Sequence, residues 1–338
     1  MKVSIAEARS VVEKIFQKNG LTKRQAEIVA DDYIEGELLG KTSHGLSAMV
    51  TGVYGAQFIS ISKKSIQVEC HKNAYARING NQNPGQLVAD KARALVVKKA
   101  KKYGIGMVGT HNTLSFLRPG SQAEYISRYD LIAIIIHNGG EPLVAPHGGV
   151  DPLLSTTPIG FAIPTASLPI VADFATSEKA WGAVRLARAG IKKLPENAFL
   201  DRIGNSTIDV KNVFSALPFG GIKGFSLGIL FEILTGSLVG SPMGVHKKFI
   251  QGRGKDRSTS DVYRGAIYIA IDPSKFVNIK KFKKENSMLV NELKSSRKMK
   301  GVKEIILPGE KAYALKEKHV KQGWFDVDDG VWEKIREL

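Results

Sequence analysis

The hydrophobic pattern of residues 65–136 switches repeatedly between the two-residue period of a strand and the 3.6-residue period of a helix. In chain order it predicts strands at 65–70 and 75–79, a helix from about 85 to 103, and strands at 105–109 and 131–136. Two further strands, at 159–163 and 170–172, are separated by a proline-bounded, hairpin-like turn. Alternation of this kind indicates an α/β layer.

The regions on either side of this layer have mostly helical patterns. Ser4 and Thr22 each begin a capping box, which predicts helices at 5–18 and 23–38, and a third helix is predicted from Gly45 through Tyr54. Later segments predict helices at 177–190, 224–238 and 278–295, a strand near 303–307 and two closing helices, with polar surface excursions at 195–212 and 250–262. The predicted fold class is therefore α/β, a mixed sheet with helical N- and C-terminal parts.

The letters of the dinucleotide fingerprint, G-x-G-x-x-G, occur at Gly104, Gly106 and Gly109. That fingerprint requires a strand before the first glycine and a helix after the last, so that a pyrophosphate meets the helix N-terminus. Here a lysine-rich helix is predicted before Gly104 and a strand after it. Gly104 is better interpreted as the residue that ends the helix, so the motif does not predict a Rossmann site.

The chain has 338 residues, a formal net charge of +17 and one cysteine. One cysteine excludes an internal disulfide and favours a reducing compartment, so we expect a cytoplasmic protein. The charge alone would suit nucleic-acid binding, but the lysines at 98–102 and 280–284 lie in helical patterns without a zinc-finger or RNA-recognition signature. We therefore expect no specific nucleic-acid partner. The apolar stretches and the histidine spacing likewise predict no membrane span and no metal site.

Four separated motifs carry groups that bind anions or move protons. Ser43-His44-Gly45 places a hydroxyl beside an imidazole whose ordinary pKa is about 6.5. The segment from Asp173 to Ser177 follows a predicted strand and is expected to open a helix, where its hydroxyls and N–H groups would face a phosphate. Lys223 stands in a glycine-flanked turn, and Pro308-Gly309-Glu310 starts a helix. Each motif alone also has an ordinary structural explanation, so their order carries the interpretation.

In this order and over nearly the whole chain, the motifs resemble the type 2 malate/L-lactate dehydrogenase family, which includes ureidoglycolate and sulfolactate dehydrogenases, diketogulonate reductase and cyclic-imine reductases. The residues that carry the resemblance are Ser43-His44-Gly45, Ala175-Thr176-Ser177 after Asp173, 217–224, 271–276, 307–310 and the closing 328–335. The resemblance implies a non-Rossmann NAD(P)-binding fold and an intertwined cytoplasmic homodimer. It also implies reversible hydride transfer between nicotinamide and a small, anionic 2-oxo or 2-hydroxy acid, or a related carbonyl or imine.

The same resemblance implies roles for individual residues. His44 resembles the proton donor and Ser43 its partner. The implied contacts to NAD or NADP, which the sequence does not distinguish, are Asp173, Ala175, Thr176, Ser177, Lys223, Pro308, Gly309, Glu310 and Ser115. The implied organisation is a helical N-terminal domain at 1–72, a cofactor-binding α/β domain with a helical insertion at 73–277, and a C-terminal segment at 278–338 that packs back on the N-terminal domain.

The chain departs from the family pattern on the substrate side. Ala48 stands where the family usually carries an arginine, and Leu114-Ser115-Phe116-Leu117 replaces Asn-His-Phe-Gly. Ser155-Thr156-Thr157-Pro158 replaces Gly-Thr-Asn-Pro. Candidate substrate contacts are therefore Arg118 as an anion clamp, His147 as a second imidazole, and Thr157. The alternative is a catalytically altered or inactive homologue that binds a nucleotide as a regulatory or scaffolding module.

Overall fold

A computed structural model describes residues 1–50, 62, 64–188, 190, 193–244 and 264–338. Helices and strands are numbered within these ranges. The strands are β1 Lys2–Ser4, β2 Gln67–Lys72, β3 Tyr75–Asn79, β4 Ile105–Thr113, β5 Ile132–His137, β6 Ile159–Ile163, β7 Ile170–Phe174, β8 Phe199–Leu200, β9 Ser215–Ala216, β10 Arg264–Ile271 and β11 Trp324–Asp326. The helices are α1 Ile5–Lys18, α2 Lys23–Leu38, α3 Ser47–Val50, α4 Gly85–Tyr103, α5 Pro119–Ser127, α6 Gly182–Arg188, α7 Ile222–Thr235, α8 Ile279–Ser295, α9 Glu310–Gln322 and α10 Asp329–Glu337.

Seven strands form the central sheet, in the order β2-β3-β4-β10-β5-β6-β7. β3 and β4 run parallel, whereas the other neighbours are antiparallel, so the sheet is mixed. The predicted α/β class with a mixed sheet is therefore confirmed. β10 lies in the middle, hydrogen-bonded to both β4 and β5.

The two faces of the sheet are covered by different helices, because side chains alternate between the faces along each strand. Ile135 and Tyr268 pack on one face against residues of α4 and α5. Ile136 and Ile267 pack on the other face against Phe231 of α7. The loops that follow β4, β5 and β7 are thereby held between rigid elements.

The two ends of the described chain pack together. β1 pairs antiparallel with β11, and the buried Phe325 and Trp332 share a core with α1 and α2. His44 belongs to the loop that follows α2, so the core that the two chain ends share also supports the backbone around His44. The division into three domains stays a prediction.

Most of the predicted elements are confirmed. The helices expected at 5–18, 23–38 and 85–103 and the strand at 159–163 have the expected bounds, and two helices close the chain. Gly104 has φ 85° and its N–H donates to Ala100, which confirms that it ends α4 before the strand β4. α3 begins at Ser47. The rest of the third predicted helix and the excursion at 250–262 lie outside the described residues.

Two expectations were wrong, and one strand was missed. The helix predicted at 177–190 begins only at Gly182, because the preceding backbone pairs with the turn before α7. No strand forms at 303–307, where the residues pair with no strand of the described ranges, and the last strand is β11 instead. β10 was missed because its residues are buried on both faces and do not alternate. In the described residues, no helix is long and apolar enough to cross a membrane.

Candidate functional site

His44 ends a one-turn 3₁₀ helix, Thr42–His44, that is pressed against α2. A Cβ on Gly36 of α2 would lie 2.6 Å from the carbonyl oxygen of His44, so only glycine permits this approach. On the other side, the buried carboxylate of Glu37 accepts a hydrogen bond from the N–H of Leu46 at 2.6 Å. The backbone that carries His44 is therefore fixed by close packing rather than by its own short helix.

Ser43 and His44 form the pair that the sequence predicted. The Oγ atom of Ser43 lies 3.0 Å from Nδ1 of His44. A hydrogen bond at Nδ1 orients the ring and leaves Nε2 as the nitrogen that can face a ligand.

The surroundings of His44 are positively charged. The pKa of His44 is lowered to about 3, first by burial and then by the nearby Arg185, Arg118, Lys41 and Arg264, in that order. The imidazole is therefore neutral near pH 7, and several cations converge on it. This arrangement favours an anion beside His44.

Arg118 is one of the two of these cations that are buried, together with Arg264. It is the N-cap of α5 and is only 7% exposed, rather than lying on the surface as an ordinary helix-start arginine would. Its Nε and Nη2 atoms have no hydrogen-bond partner in the described part of the chain. A buried guanidinium with unused donors suits a planar anionic group such as a carboxylate.

Asp173 lies at the end of β7 beside the same arginine. Its carboxylate accepts a hydrogen bond from the N–H of Gly120 at 3.0 Å, in the first turn of α5. Burial raises the pKa of Asp173, whereas Arg118 and Lys41 oppose that rise. Asp173 and His44 therefore share two cationic neighbours.

The segment after Asp173 does not open a helix, which corrects the sequence prediction. The N–H and hydroxyl of Thr176 both donate to the carbonyl of Thr156, and the hydroxyl of Ser177 donates to the carbonyl of Lys179. Ala175 is partly buried between them and Asp173. These hydroxyls bind main-chain carbonyls instead of facing outward from a helix N-terminus.

The structure brings this segment against the glycine turn that carries Lys223. The N–H of Phe219 donates to the carbonyl of Thr176 at 3.0 Å. Gly220 and Gly221 have φ of 54° and 61°, which favour glycine, and they lead directly into α7 with no side-chain cap. Lys223 is exposed in the first turn of α7. The N–H groups of Lys223 and Gly224 donate to the carbonyls of Gly220 and Phe219. The positive end of the helix dipole and the ammonium of Lys223, rather than a set of free N–H groups, therefore suit this turn to an anion such as a phosphate.

His147 lies over this glycine turn. Its ring atoms come within 3.2 Å of the position that a Cβ on Gly221 would take, and the side chain is exposed. The described contacts of His147 therefore associate it with the turn before Lys223.

Ser115 and Thr157 are buried, at 2% and 0% exposure. The Oγ of Ser115 accepts a hydrogen bond from the N–H of Leu117 at 3.2 Å. The hydroxyl of Thr157 donates to the carboxylate of Glu232 at 3.3 Å. Both residues support loops that border Arg118 or α7.

Glu232 was not identified as a site residue from the sequence. From the buried side of α7 it also accepts hydrogen bonds from the N–H of Ser155 at 2.6 Å and the N–H of Gly244 at 2.9 Å. The available signal was a lone carboxylate within the longest apolar stretch of the chain. Glu232 thereby connects the loop between β5 and β6 to α7.

Pro308, Gly309 and Glu310 lie against the start of β7. Gly309 has φ 89° and begins α9, and a Cβ there would lie 2.9 Å from the carbonyl oxygen of Val171. The Glu310 carboxylate accepts from Lys294 at 2.6 Å, and this bond lowers its pKa. The motif thus borders the strand whose far end carries Asp173.

Two more cations were missed in the sequence analysis because only the fold brings them near His44. A Cβ on Gly182 would lie 3.3 Å from Oγ of Ser43 and 3.7 Å from Nη2 of Arg185, which places α6 beside the serine. Arg264, the first residue of β10, packs its guanidinium against Gly140. Neither residue belongs to a recognisable local motif.

Ala48 is buried in the N-terminal core, at 1% exposure, so that position supplies no charge to the site. Within the described residues there is also no group of three or more histidine, cysteine or carboxylate side chains arranged to hold a metal ion. Arg118 and Arg185, which lie near His44, are thus the arginines best suited to bind the anionic group of a substrate.

Comparison with known proteins identifies the family. The family model for malate/L-lactate dehydrogenase matches residues 3–336. The chain is 35% identical to the malate/(S)-sulfolactate dehydrogenase of Methanothermus fervidus, over 100% of this chain and 97% of that enzyme. It is 29% identical to the Δ1-pyrroline-2-carboxylate/Δ1-piperideine-2-carboxylate reductase of Pseudomonas putida, over 96% and 93% of the two chains. The solved structure of sulfolactate dehydrogenase from Methanocaldococcus jannaschii matches with a TM-score of 0.87 at 30% identity, over 100% and 96%. The chain therefore belongs to the malate/L-lactate dehydrogenase family and is an enzyme of that kind.

Proposed function

We propose that this enzyme transfers a hydride reversibly between NAD(P) and a small anionic 2-oxo or 2-hydroxy acid, or a related carbonyl or cyclic imine. The observation that carries the proposal is the neutral His44, oriented by Ser43 and surrounded by Arg118, Arg185 and Lys41. An anionic substrate satisfies the cations, and its reacting carbon then lies near a group that can donate or accept a proton.

His44 acts as the proton donor during reduction and as the acceptor during oxidation. Its pKa of about 3 describes the site without an anion. A bound carboxylate offsets the positive charge of Arg118 and Arg185, which removes part of the electrostatic lowering of the pKa of His44. Proton uptake by His44 is thus favoured by substrate binding.

Arg118 replaces the arginine that the family pattern places at position 48. Its unused Nε and Nη2 donors match the two oxygens of a carboxylate. We assign His147 and Thr157 to the substrate side as well, although their described contacts are to the turn before α7 and to Glu232. For these two residues the role remains a prediction from the sequence.

The turn before α7 fits the pyrophosphate of a nicotinamide cofactor. The positive end of the α7 dipole and the charge of Lys223 together favour an anion at that point. Asp173, Ala175, Thr176 and Ser177 flank this turn, whereas Ser115 and Pro308-Gly309-Glu310 complete the assigned contacts. The bound cofactor supplies or accepts the hydride. The proposal applies equally to NAD and to NADP as the cofactor.

We propose a homodimer, supported by an exposed apolar stripe on α7. Ile222, Ile229, Leu230 and Ile233 are 55%, 41%, 49% and 47% exposed and follow the spacing of one helix face. A contiguous apolar stripe of this kind is typical of an interface.

Fluorescence titration of the purified protein with NADH and, in parallel, NADPH tests the proposal. Saturable binding of one of them in the micromolar range supports it and chooses the cofactor for a screen of 2-oxo acids and cyclic imines. A folded protein that binds neither contradicts it. Light scattering of the same sample reports whether the protein is a dimer.

The second candidate is an altered homologue that binds a nucleotide without catalysis. Two observations favour it: Ala48 is buried in the core, and Ser115 uses its hydroxyl to hold the N–H of Leu117. Neither position supplies the ionisable side chain expected from the family pattern. Turnover by the wild type that is lost on replacing His44 would exclude this candidate.

A further inference from the structure

Asp32 is a buried carboxylate close to the candidate site that the proposed function does not use. It lies on α2 one helical turn before Gly36, the glycine that contacts the backbone of His44, so both residues lie on the same side of the helix. Asp32 is 8% exposed. The hydroxyl of Ser121 donates to its Oδ1 at 3.3 Å and also to the carbonyl of Arg118 at 2.9 Å. Ser121 therefore links the carboxylate directly to the N-cap of α5.

Unused polar atoms occur on both sides of this link. Oδ2 of Asp32 and Nε and Nη2 of Arg118 are all buried, and none has a hydrogen-bond partner in the described ranges. Arg118 is also the cation that most favours the charged form of Asp32. A carboxylate and a guanidinium with complementary unused atoms, within electrostatic range of each other, are suited to form an ion pair.

The groups that face Asp32 come from four elements. Arg118 and Ser121 belong to the start of α5, Arg93 to α4 and Glu35 to α2, while Tyr268 of β10 is within electrostatic range. Burial raises the pKa of Asp32 to about 7, since it outweighs the two arginines and the Ser121 hydrogen bond. Asp32 therefore changes its charge near neutral pH.

We propose that Asp32 and the anionic group of the substrate compete for Arg118, so that loss of the Asp32 proton weakens substrate binding. This inference rests on the proposed function, in which Arg118 holds that anionic group. Protonated Asp32 leaves the guanidinium to the substrate. Ionised Asp32 attracts the guanidinium and repels the incoming anion. Asp32 is thus a positioning residue, which acts on the substrate through Arg118.

The sign of the pH dependence follows from linkage. An anion bound at Arg118 disfavours the charged form of Asp32, so binding above pH 7 takes up a proton. Through Asp32 alone, substrate affinity is constant below pH 7 and falls by up to about tenfold for each pH unit above it, in addition to the dependence that proton uptake by His44 brings. Because His44 acts on the chemical step, this effect belongs to KM and leaves the pH profile of kcat unchanged.

The test is a calorimetric titration of oxamate, a non-reacting 2-oxo acid analogue, into the protein saturated with its reduced nicotinamide cofactor, from pH 6 to 9. The wild type is expected to lose affinity above pH 7. Asp32→Asn is expected to lack the contribution of Asp32, so that its affinity falls less steeply than that of the wild type, and to bind about tenfold more tightly than the wild type at pH 8.5. Steady-state KM and kcat over the same range should give the same separation.

Asp31→Asn is the matched control, because it removes the same charge from the neighbouring, exposed position of α2, where Asp31 pairs with Arg9. It should follow the wild type. Equal pH dependence in Asp32→Asn and the wild type would overturn the inference and leave the proposed function intact. Absence of oxamate binding in all three proteins would instead contradict the role of Arg118 itself, and the inference with it.

A second variant keeps the test decisive if Asp32→Asn fails to fold. Ser121→Ala removes a hydrogen bond that favours the ionised carboxylate, so the onset of affinity loss should move to higher pH. An unchanged onset in folded Ser121→Ala would count against the inference.

Discussion

Asp173 accepts a hydrogen bond from the backbone N–H of Gly120 at 3.0 Å. A Cβ on Gly120 would lie 2.7 Å from the Cβ of Asp173, so the strand end and the helix start approach as closely as glycine permits. Arg118 is the N-cap residue of that helix, so this contact helps to fix the backbone from which the guanidinium extends.

Replacing Asp173 by alanine should weaken both the fold and substrate binding. The change removes the acceptor for Gly120 and a negative charge at the start of α5, which costs about 1–2 kcal/mol. Urea unfolding should show this loss, and KM for the substrate should rise because Arg118 is less well held. Asp173→Asn keeps an acceptor oxygen and should lose less than half as much stability. Equal stability of the alanine variant and the wild type would show that this contact does not matter.

Replacing His44 by alanine should remove the proton donor without disturbing the cofactor site. We expect kcat/KM to fall by about 10²-fold or more, since positioned acid–base catalysis commonly contributes that much. The fluorescence-derived Kd for the reduced cofactor should stay close to that of the wild type. Ser43→Ala should cost less, because it removes only the hydrogen bond that orients the ring. Retained activity in His44→Ala would contradict the assignment.

The fold was largely predictable because its helices carry local signals. The capping residues Ser4 and Thr22 and the terminating Gly104 fixed helix bounds that the structure reproduces. β10 was not predicted because its residues are buried on both faces and its partners, β4 and β5, are distant in sequence. The apolar residues at 303–307 show the converse, since they form no strand although their local pattern predicts one.

The candidate site was predictable only where one short motif carries it. Ser43 and His44 are adjacent in the chain, so their hydrogen bond follows from local geometry. Arg185 approaches Ser43 because α6 packs there, and no pattern around position 185 indicates that contact. Asp32 is likewise an ordinary helix residue in sequence, and only burial against α5 gives it an unusual pKa.

Glu37 should make the stability of the protein depend on pH. Burial raises its pKa to about 7, above the ordinary value of 4.5, despite hydrogen bonds from Leu46 and Ser47. The folded state therefore binds the proton more tightly than the unfolded state, so this contribution is present below pH 4.5 and is lost as pH rises through 7. Glu37→Gln should remove up to about 3 kcal/mol of the decline between pH 5 and 8. Denaturant unfolding at both pH values measures it, and the exposed Asp31→Asn should leave the decline unchanged.

Lys223 should contribute to cofactor affinity through its charge. Lys223→Ala leaves the N–H groups of α7 in place but removes the ammonium, and we expect Kd for the reduced cofactor to rise about tenfold, or 1.4 kcal/mol. The difference should shrink at high salt, because Lys223 is exposed and screened. Lys211→Ala, another exposed loop lysine, is the control for net charge. An unchanged Kd in Lys223→Ala would contradict the assignment of this turn to the cofactor site.

Leu117 adopts a left-handed backbone conformation that favours glycine, although its side chain is packed in the core. Its φ is 65°, at the position where the family pattern has glycine, and its side chain is 4% exposed in the N-terminal core. Leu117→Gly would relieve about 1–2 kcal/mol of backbone strain but would lose the burial of a leucine and leave a cavity, which costs about 2–5 kcal/mol. Burial should win, so the variant should be less stable by chemical unfolding. An increase in stability would instead show that strain dominates in the loop between Ser115 and Arg118.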